Sequence, residues 1–128
     1  MGARDVRLRS IGKFGERMPV ENWSENVVVA RVGTEPQFSE TMAGLEHVLS
    51  GRAVDAVVDF EGVRVLNSSN IGALIRVRKQ MVEMGRRLVL CGLGTEAWGV
   101  FLVTGLDKIF EFSNDVTTAL ATLQMSRK

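Results

Sequence analysis

Blocks of apolar residues alternate along the chain between strand-like and helix-like spacing. Four short runs predict strands, namely "NVVVARVG" (26–33), "AVDAVVDF" (53–60), "RLVLCG" (87–92) and "KIFEF" (108–112). Apolar positions at helical spacing predict four helices, at residues 39–51, 71–84, 95–103 and 116–123. Ser39 opens the first of these helices and Asp115 caps the last, whereas Gly51 and Gly85 mark ends. Strands alternating with helices of this length imply crossover connections, so the pattern predicts an α/β fold with a largely parallel or mixed sheet.

The front of the chain allows two interpretations. "MPVENWSENVVVARV" (18–32) can form a hairpin around Ser24, Glu25 and Asn26, which leaves residues 1–17 as an extension with an additional strand at 6–11. Alternatively, the first strand is "VRLRSIGKF" (6–14) and a long loop follows it. We favour the hairpin, and therefore divide the chain into an extension at 1–17 and one domain at 18–128.

Composition and charge narrow the function classes. The 128 residues are 45% hydrophobic, which suits one compact domain with its own core. The net charge is +1 and no window concentrates the basic residues, so a nucleic-acid partner is not predicted. The chain has no apolar run near the roughly 18 residues of a membrane span, and its start lacks the apolar centre of a secretion signal. The single cysteine, Cys91, lies in an apolar strand and is expected to be a buried core residue. We therefore expect a cytoplasmic protein without direct membrane insertion.

One polar interruption stands out at "VRVLNSSNIGAL" (63–74). Asn67, Ser68, Ser69 and Asn70 lie between a predicted central strand and the longest predicted helix. A turn in that position lies at the carboxyl edge of the sheet, where ligands and partners commonly bind. Serine and asparagine also cap helices by accepting from free backbone N–H groups, so capping is the simpler explanation.

The same stretch and a later one carry a family resemblance. The first motif comprises Asp59, Phe60, Val63, Leu66, Ser68, Ser69, Ile71 and Gly72, and the second comprises Thr104, Gly105, Leu106, Ile109 and Phe110. Over about residues 27–123, these residues resemble the STAS domain and, within it, the bacterial anti-sigma factor antagonists. The resemblance implies a single STAS-like α/β domain, a four- or five-stranded mixed sheet with helices mainly on one face.

The resemblance also implies a function in partner switching. Such antagonists bind a serine-kinase anti-sigma factor, which is the expected protein partner, and are phosphorylated by it on the serine that Ser68 matches. Ser69 is the second choice. Asn67 and Asn70 replace the family's Asp and Gly around this pair, and Glu35 corresponds loosely to a partner-contacting position. We count the residues of the turn, Asn67, Ser68, Ser69 and Asn70, among the expected partner contacts.

Helical periodicity assigns two apolar stripes to the helix at 71–84. Plotted at 100° per residue, the predicted core stripe comprises Ile71, Leu74, Ile75, Met81 and Val82, with Arg78 among them. Ala73, Val77 and Met84 fall on the opposite side, where either flanking helices cover them or they form a partner-binding face.

In the short helix at 95–103, the predicted buried face comprises Ala97, Val100 and Phe101. Trp98, beside Leu102, is either an anchor for a partner or partly buried under the C-terminal helix.

Enzyme and cofactor chemistry is not predicted. His47 is the only histidine, remote in sequence from the serines, and no phosphate loop or metal-ligand cluster accompanies it. We expect a binding protein with no catalytic residues, metal or cofactor. Two alternatives remain: a non-switching STAS adaptor or scaffold, including a subunit of a transport complex, and a nucleotide or small-molecule binding module at the sheet edge. The pattern leaves the oligomeric state open.

Overall fold

Five strands form one mixed sheet in the computed structural model, which describes residues 20–125 of the chain. They are β1 (Val20–Asn22), β2 (Val27–Arg31), β3 (Asp55–Asp59), β4 (Leu88–Cys91) and β5 (Glu111–Ser113). Their order in the sheet follows the chain. β1 runs antiparallel to β2, and the other neighbouring pairs are parallel. The predicted α/β fold with a mixed sheet of up to five strands is thus confirmed.

The front of the sheet is the predicted hairpin. Val20 pairs with Ala30 and Asn22 with Val28, and the backbone N–H of Trp23 donates to the carbonyl of Val27 at 2.9 Å. The additional strand proposed at 6–11 lies outside the described residues. The hairpin interpretation is therefore confirmed for the part of the chain that the structure describes.

Four helices connect or follow the strands. They are α1 (Gln37–Gly51), α2 (Ser68–Met84), α3 (Thr95–Thr104) and α4 (Val116–Met125). α1 begins before Ser39, whose backbone N–H donates to the Glu35 carboxylate at 3.1 Å, so Ser39 is not its first residue as predicted. α4 has the predicted cap, because Asp115 Oδ1 accepts from the N–H of Thr118 at 2.8 Å.

The last predicted strand, at 108–112, is wrong in its bounds. Gly105, with φ of 78°, ends α3 in the left-handed region, and a 3₁₀ turn at Leu106–Lys108 follows directly. The chain becomes extended only at Glu111, so β5 is short and ends at Ser113. The left-handed glycine and the tight turn after it keep Lys108, Ile109 and Phe110 out of the strand, although their apolar pattern alone is typical of one.

The sheet separates two cores. On one face, Ala56 and Val58 of β3 belong to the larger core, which includes buried side chains of α1, α2 and α3. On the other face, Val57 packs in a smaller core with Ala119 and Leu123 of α4. Three of the four described helices therefore lie on one face, as expected. All five residues of β3 are buried, so the segment that leads to α2 leaves the sheet from a fully enclosed central strand.

The carboxyl ends of β3 and β4 approach each other closely at one edge of the sheet. Gly92, which follows β4, has φ of 72°, and a Cβ built on it would lie 2.6 Å from Asp59 Oδ1 at the end of β3. Asp59 in turn accepts from the N–H of Glu61 at 3.1 Å. The close approach of Gly92 and the hydrogen bond from Glu61 together fix the Asp59 side chain where the chain leaves β3 toward α2. Among residues 20–125, no helix combines the length and apolar character that crossing a membrane requires.

Candidate functional site

Two asparagines cap the N-terminal turn of α2. Asn67 lies just before the helix with φ of −106° and ψ of 176°, and its Oδ1 accepts from the backbone N–H of Asn70 at 2.7 Å. In return, Asn70 Oδ1 accepts from the backbone N–H of Asn67 at 3.0 Å. This reciprocal pair is a capping box in which an asparagine takes the place that glutamate or glutamine commonly occupies. The serines between them are therefore not needed for the cap.

Ser68 and Ser69 are the first two residues of α2, and both are exposed. Helix N-termini leave backbone N–H groups without intrahelical acceptors. Those of Ser68 and Ser69 have no hydrogen-bond acceptor among residues 20–125, whereas the cap satisfies that of Asn70. Together with the positive end of the helix dipole, they can receive an anion attached to either hydroxyl.

Glu35 joins this turn from the loop between β2 and α1. Its Oε2 accepts from Asn70 Nδ2 at 2.7 Å and from Ser39 Oγ at 2.8 Å. The hydrogen bonds from Ser39, and the weaker one from Asn70, lower the pKa of Glu35, although some desolvation acts in the opposite direction. The structure therefore brings Glu35 and the Asn67–Asn70 turn together, and Glu35 is a fixed negative charge at neutral pH.

The predicted phase of α2 is wrong. Ala73 and Val77, which we predicted on the side away from the core, are only 6% and 0% exposed. Both belong to the larger core, so in this conformation neither is available to a partner. The buried stripe is centred on Asn70, Ala73, Leu74, Val77 and Met81. The helix is thus rotated by about 90°, slightly less than one residue position, from the predicted orientation.

The rotation exposes a different apolar stripe. Ile75 and Val82, predicted to be in the core, are 43% and 60% exposed. They lie seven and fourteen residues after Ser68, so all three share one side of the helix. We call Ser68, Ile75 and Val82 the α2 stripe. Its seven-residue spacing is present in the sequence and could have revealed this surface.

Arg78 lies at the margin of this surface rather than in the core. It is half-buried, and its Nε donates to the carbonyl of Ile109 at 2.9 Å. Ile109 is itself 42% exposed. The contact joins α2 to the segment after the 3₁₀ turn.

Trp98 lies away from the serine turn, at the β5 edge of the sheet. Its ring is 36% exposed and packs edge-on against Phe112 of β5, with ring centroids 4.8 Å apart. It is not among the side chains of the core beneath α4, so its partial burial comes from β5 and not from the C-terminal helix, which was one of the two alternatives. Beside it is a shallow cavity of about 250 Å³, lined by Leu93, Trp98, Phe112, Ser113 and Asn114. Ala97 and Phe101 form the buried face of α3, as predicted.

The surroundings of His47 and Cys91 do not suit metal binding or nucleophilic catalysis. His47 is exposed on α1, and no group of three or more His, Cys, Asp or Glu side chains among residues 20–125 could hold a metal ion. Cys91 is fully buried in β4, and desolvation, reinforced by Asp59, raises its pKa to about 12. Its thiol stays protonated at neutral pH, which is unlike a nucleophilic cysteine.

Comparison with known proteins agrees with the fold. The family model of the STAS domain matches residues 25–119. The solved structure of an anti-sigma-factor antagonist (STAS) domain protein from Planctomyces limnophilus is 20% identical with a TM-score of 0.72, covering 82% of this chain and 97% of that one. The anti-sigma factor antagonist SpoIIAA in its unphosphorylated form is 17% identical with a TM-score of 0.71, covering 85% and 97%. The Bacillus cell fate determinant SpoIIAA in its phosphorylated form is 18% identical with a TM-score of 0.64, covering 80% and 96%. The chain therefore belongs to the STAS domain family.

Proposed function

We propose that this protein is an anti-sigma factor antagonist of a partner-switching system. In its unmodified form it binds a serine-kinase anti-sigma factor, and that kinase phosphorylates Ser68 to end the interaction. The observation that carries the proposal is the exposed position of Ser68 at the start of α2, within a cap that does not use its hydroxyl. Ser69, which is also exposed, is the second candidate for modification.

The surroundings of Ser68 suit a phosphate that changes the surface and leaves the fold intact. A phosphoserine adds roughly −1.5 to −2 charges and three acceptor oxygens. The free N–H groups at the start of α2 and the helix dipole stabilise such a group without any side chain having to move out of the core. The likeness of the fold to SpoIIAA in both its unphosphorylated and its phosphorylated forms supports this expectation.

Binding would be affected because the phosphate lies within the surface that a partner covers. We propose that this surface comprises Asn67, Ser69 and Glu35 together with the α2 stripe, which replaces the buried Ala73 and Val77. A partner docked there has to desolvate the phosphate without a matched cation. A cost of about 3 kcal/mol lowers affinity by more than a hundredfold.

In this role the protein is a substrate and a ligand, and not a catalyst, and it acts in the cytoplasm with its kinase. Trp98, at the β5 edge, is a separate contact point in the proposal, because it is half-exposed yet outside the serine turn. The uncharged Asn67 replaces the acid of the family motif, so the kinase has to recognise the turn without that charge.

The test is phosphorylation by the serine-kinase anti-sigma factor encoded in the same genome. With ATP, we expect the chain to gain the mass of one phosphoryl group, mapped to the peptide that contains Ser68. Ser68→Ala should abolish the gain, and Ser69→Ala is the matched control that should keep it. If neither serine is modified and the kinase still binds the chain, a non-switching adaptor explains the protein better and the proposal fails.

A further inference from the structure

A small cavity lies at the far end of the α2 stripe from Ser68, beside the first residues of β4 and β5. Its volume is about 190 Å³, and Arg78, Val82 and Ile109 are among the residues that line it. Val82 also belongs to the α2 stripe, fourteen residues or about 21 Å along the helix from Ser68. The cavity therefore continues the surface that begins at the serine turn.

Three of the residues that line this cavity within the described part of the chain are arginines, and two of them are already paired. Arg86 Nε donates to Asp55 Oδ1 at 3.0 Å. Arg87 Nε donates to Glu111 Oε1 at 3.2 Å, and the hydrogen bonding with Glu111 raises the pKa of Arg87. Three guanidinium groups are thus matched by only two carboxylates, and the positive charge in excess is that of Arg78.

One hydrogen bond anchors the guanidinium of Arg78 and leaves its outer end open. Nε donates to the carbonyl of Ile109 at 2.9 Å, and Arg78 makes no other hydrogen bond or ion pair with residues 20–125. The side chain is half-buried, so it is only partly solvated. Its two terminal amino groups form a planar fork that matches both oxygens of a carboxylate. One carboxylate on this fork would also balance the excess charge of the cavity.

The size and the rim of the cavity favour a side chain of a protein over a free small molecule. Pockets for small molecules commonly measure about 300–1,000 Å³. A volume of about 190 Å³ suits a single side chain better. Val82 and Ile109 beside it are exposed, so an apolar neighbour of the carboxylate can bury them.

We propose that Arg78 binds the carboxylate of an aspartate or glutamate of the serine-kinase anti-sigma factor, in the same interface that covers the α2 stripe. The inference rests on the proposed function for the identity of the partner. It adds a charged contact about 21 Å from the serine turn, beyond the reach of the Ser68 hydroxyl.

Replacing arginine by lysine tests the fork while keeping the charge. In a calorimetric titration of the unmodified chain with the kinase, Arg78→Lys should bind about tenfold more weakly, because lysine cannot hold both carboxylate oxygens. Arg52→Lys is the matched control and should bind normally. Arg52 also donates to a backbone carbonyl, that of Glu25 at 3.1 Å, but it lies after α1 and outside the cavity.

A second measurement separates the carboxylate contact from the bond to Ile109, which Arg78→Lys also removes. We would record the side-chain N–H signals of the arginines by NMR in the full wild-type chain, free and bound to the kinase. A carboxylate held by both terminal amino groups hinders their rotation. Arg78 should therefore show separate signals for its Nη hydrogens only in the complex, whereas the signals of Arg52 should be the same in both states.

The outcomes distinguish this inference from the proposed function. Wild-type affinity of Arg78→Lys, or Nη signals of Arg78 that the bound kinase leaves unchanged, would overturn the inference while the proposed function stands. If the kinase does not bind the unmodified wild-type chain, the proposed function fails and the inference fails with it.

Discussion

At the scale of single residues, the site depends on a close approach that only glycine permits. Gly92 has φ of 72°, and a Cβ at this position would lie 2.6 Å from Asp59 Oδ1 and 3.3 Å from the backbone nitrogen of Glu61. Gly85, which ends α2, has φ of 70°, but a Cβ at this position would meet nothing within 4 Å beyond its neighbours in the chain. The two glycines therefore share a backbone strain and differ in steric crowding.

Replacing these glycines by alanine separates the two effects. Gly85→Ala should lower the free energy of unfolding by about 1 kcal/mol, because only the left-handed backbone is unfavourable for alanine there. Gly92→Ala should cost about 3 kcal/mol, since the new methyl group also displaces the Asp59 carboxylate from Glu61. Urea denaturation of both variants measures the difference, and equal losses would contradict the steric explanation.

At the scale of secondary-structure elements, the sequence predicts the order of strands and helices well and the orientation of α2 poorly. β-branched runs such as the one around Val57 have one structural interpretation, a buried strand, and they form one. α2 has apolar residues on two sides, so periodicity cannot decide which side faces the sheet. The small side chain of Ala73 lies on the buried side, and the larger Ile75 remains at the surface. Which side of α2 is buried depends on the space between α2, the sheet and α1. The local pattern of apolar residues in α2 does not contain that information.

The cap of α2 is predicted to stabilise the turn that carries Ser68. Asn67→Ala removes the side-chain acceptor for the N–H of Asn70 and should lower the free energy of unfolding by about 1 kcal/mol. Asn67→Asp keeps an acceptor and adds a negative charge at the helix N-terminus, so its stability should equal or exceed that of the wild type. Thermal unfolding distinguishes these outcomes, and an undiminished stability of Asn67→Ala would show that the cap is dispensable.

The cap of α4 gives the protein a dependence on acid pH. The hydrogen bonds from the backbone and side chain of Thr118 lower the pKa of Asp115 below 3.8. Its stabilising effect is therefore present above that pH and is lost as the pH falls through the lower value of the folded state. Asp115→Asn retains an acceptor that does not titrate, so it should lose less stability than the wild type between about pH 5 and about pH 2. The measurement is the free energy of unfolding of the wild type and of Asp115→Asn as a function of acid pH. If the difference between the two proteins stayed constant over this range, Asp115 would not be the group responsible.

At the scale of the whole molecule, the fold places the exposed Ser68 and the exposed apolar side chains of Ile75 and Val82 on one helix. The start of α2 is fixed by two features at the edge of the sheet. Gly92 lies close to the Asp59 carboxylate, and Asn67 and Asn70 form the capping box. The position of Ser68 at that start was predictable from its motif and from the strand before it. The Asn70–Glu35 bond was not, because it joins residues 35 positions apart in the chain.

The α2 stripe gives a prediction for partner binding. Ile75→Ala should weaken binding of the serine-kinase anti-sigma factor by about tenfold, since an exposed apolar side chain is truncated at the proposed contact. Its stability should be nearly unchanged, because alanine favours the helix. Val103, on α3, is 88% exposed and outside the α2 stripe, so Val103→Ala is the matched control that should bind normally. Calorimetric titration would refute the stripe if both variants bound with wild-type affinity.

The most direct test of the switch is a calorimetric titration of the kinase with two forms of the chain, unmodified and carrying phosphoserine at position 68. Both forms should unfold at similar temperatures, because the phosphate is received at an open helix terminus. The phosphorylated form should bind more than about a hundredfold more weakly. Equal affinity of the two folded forms would contradict the account.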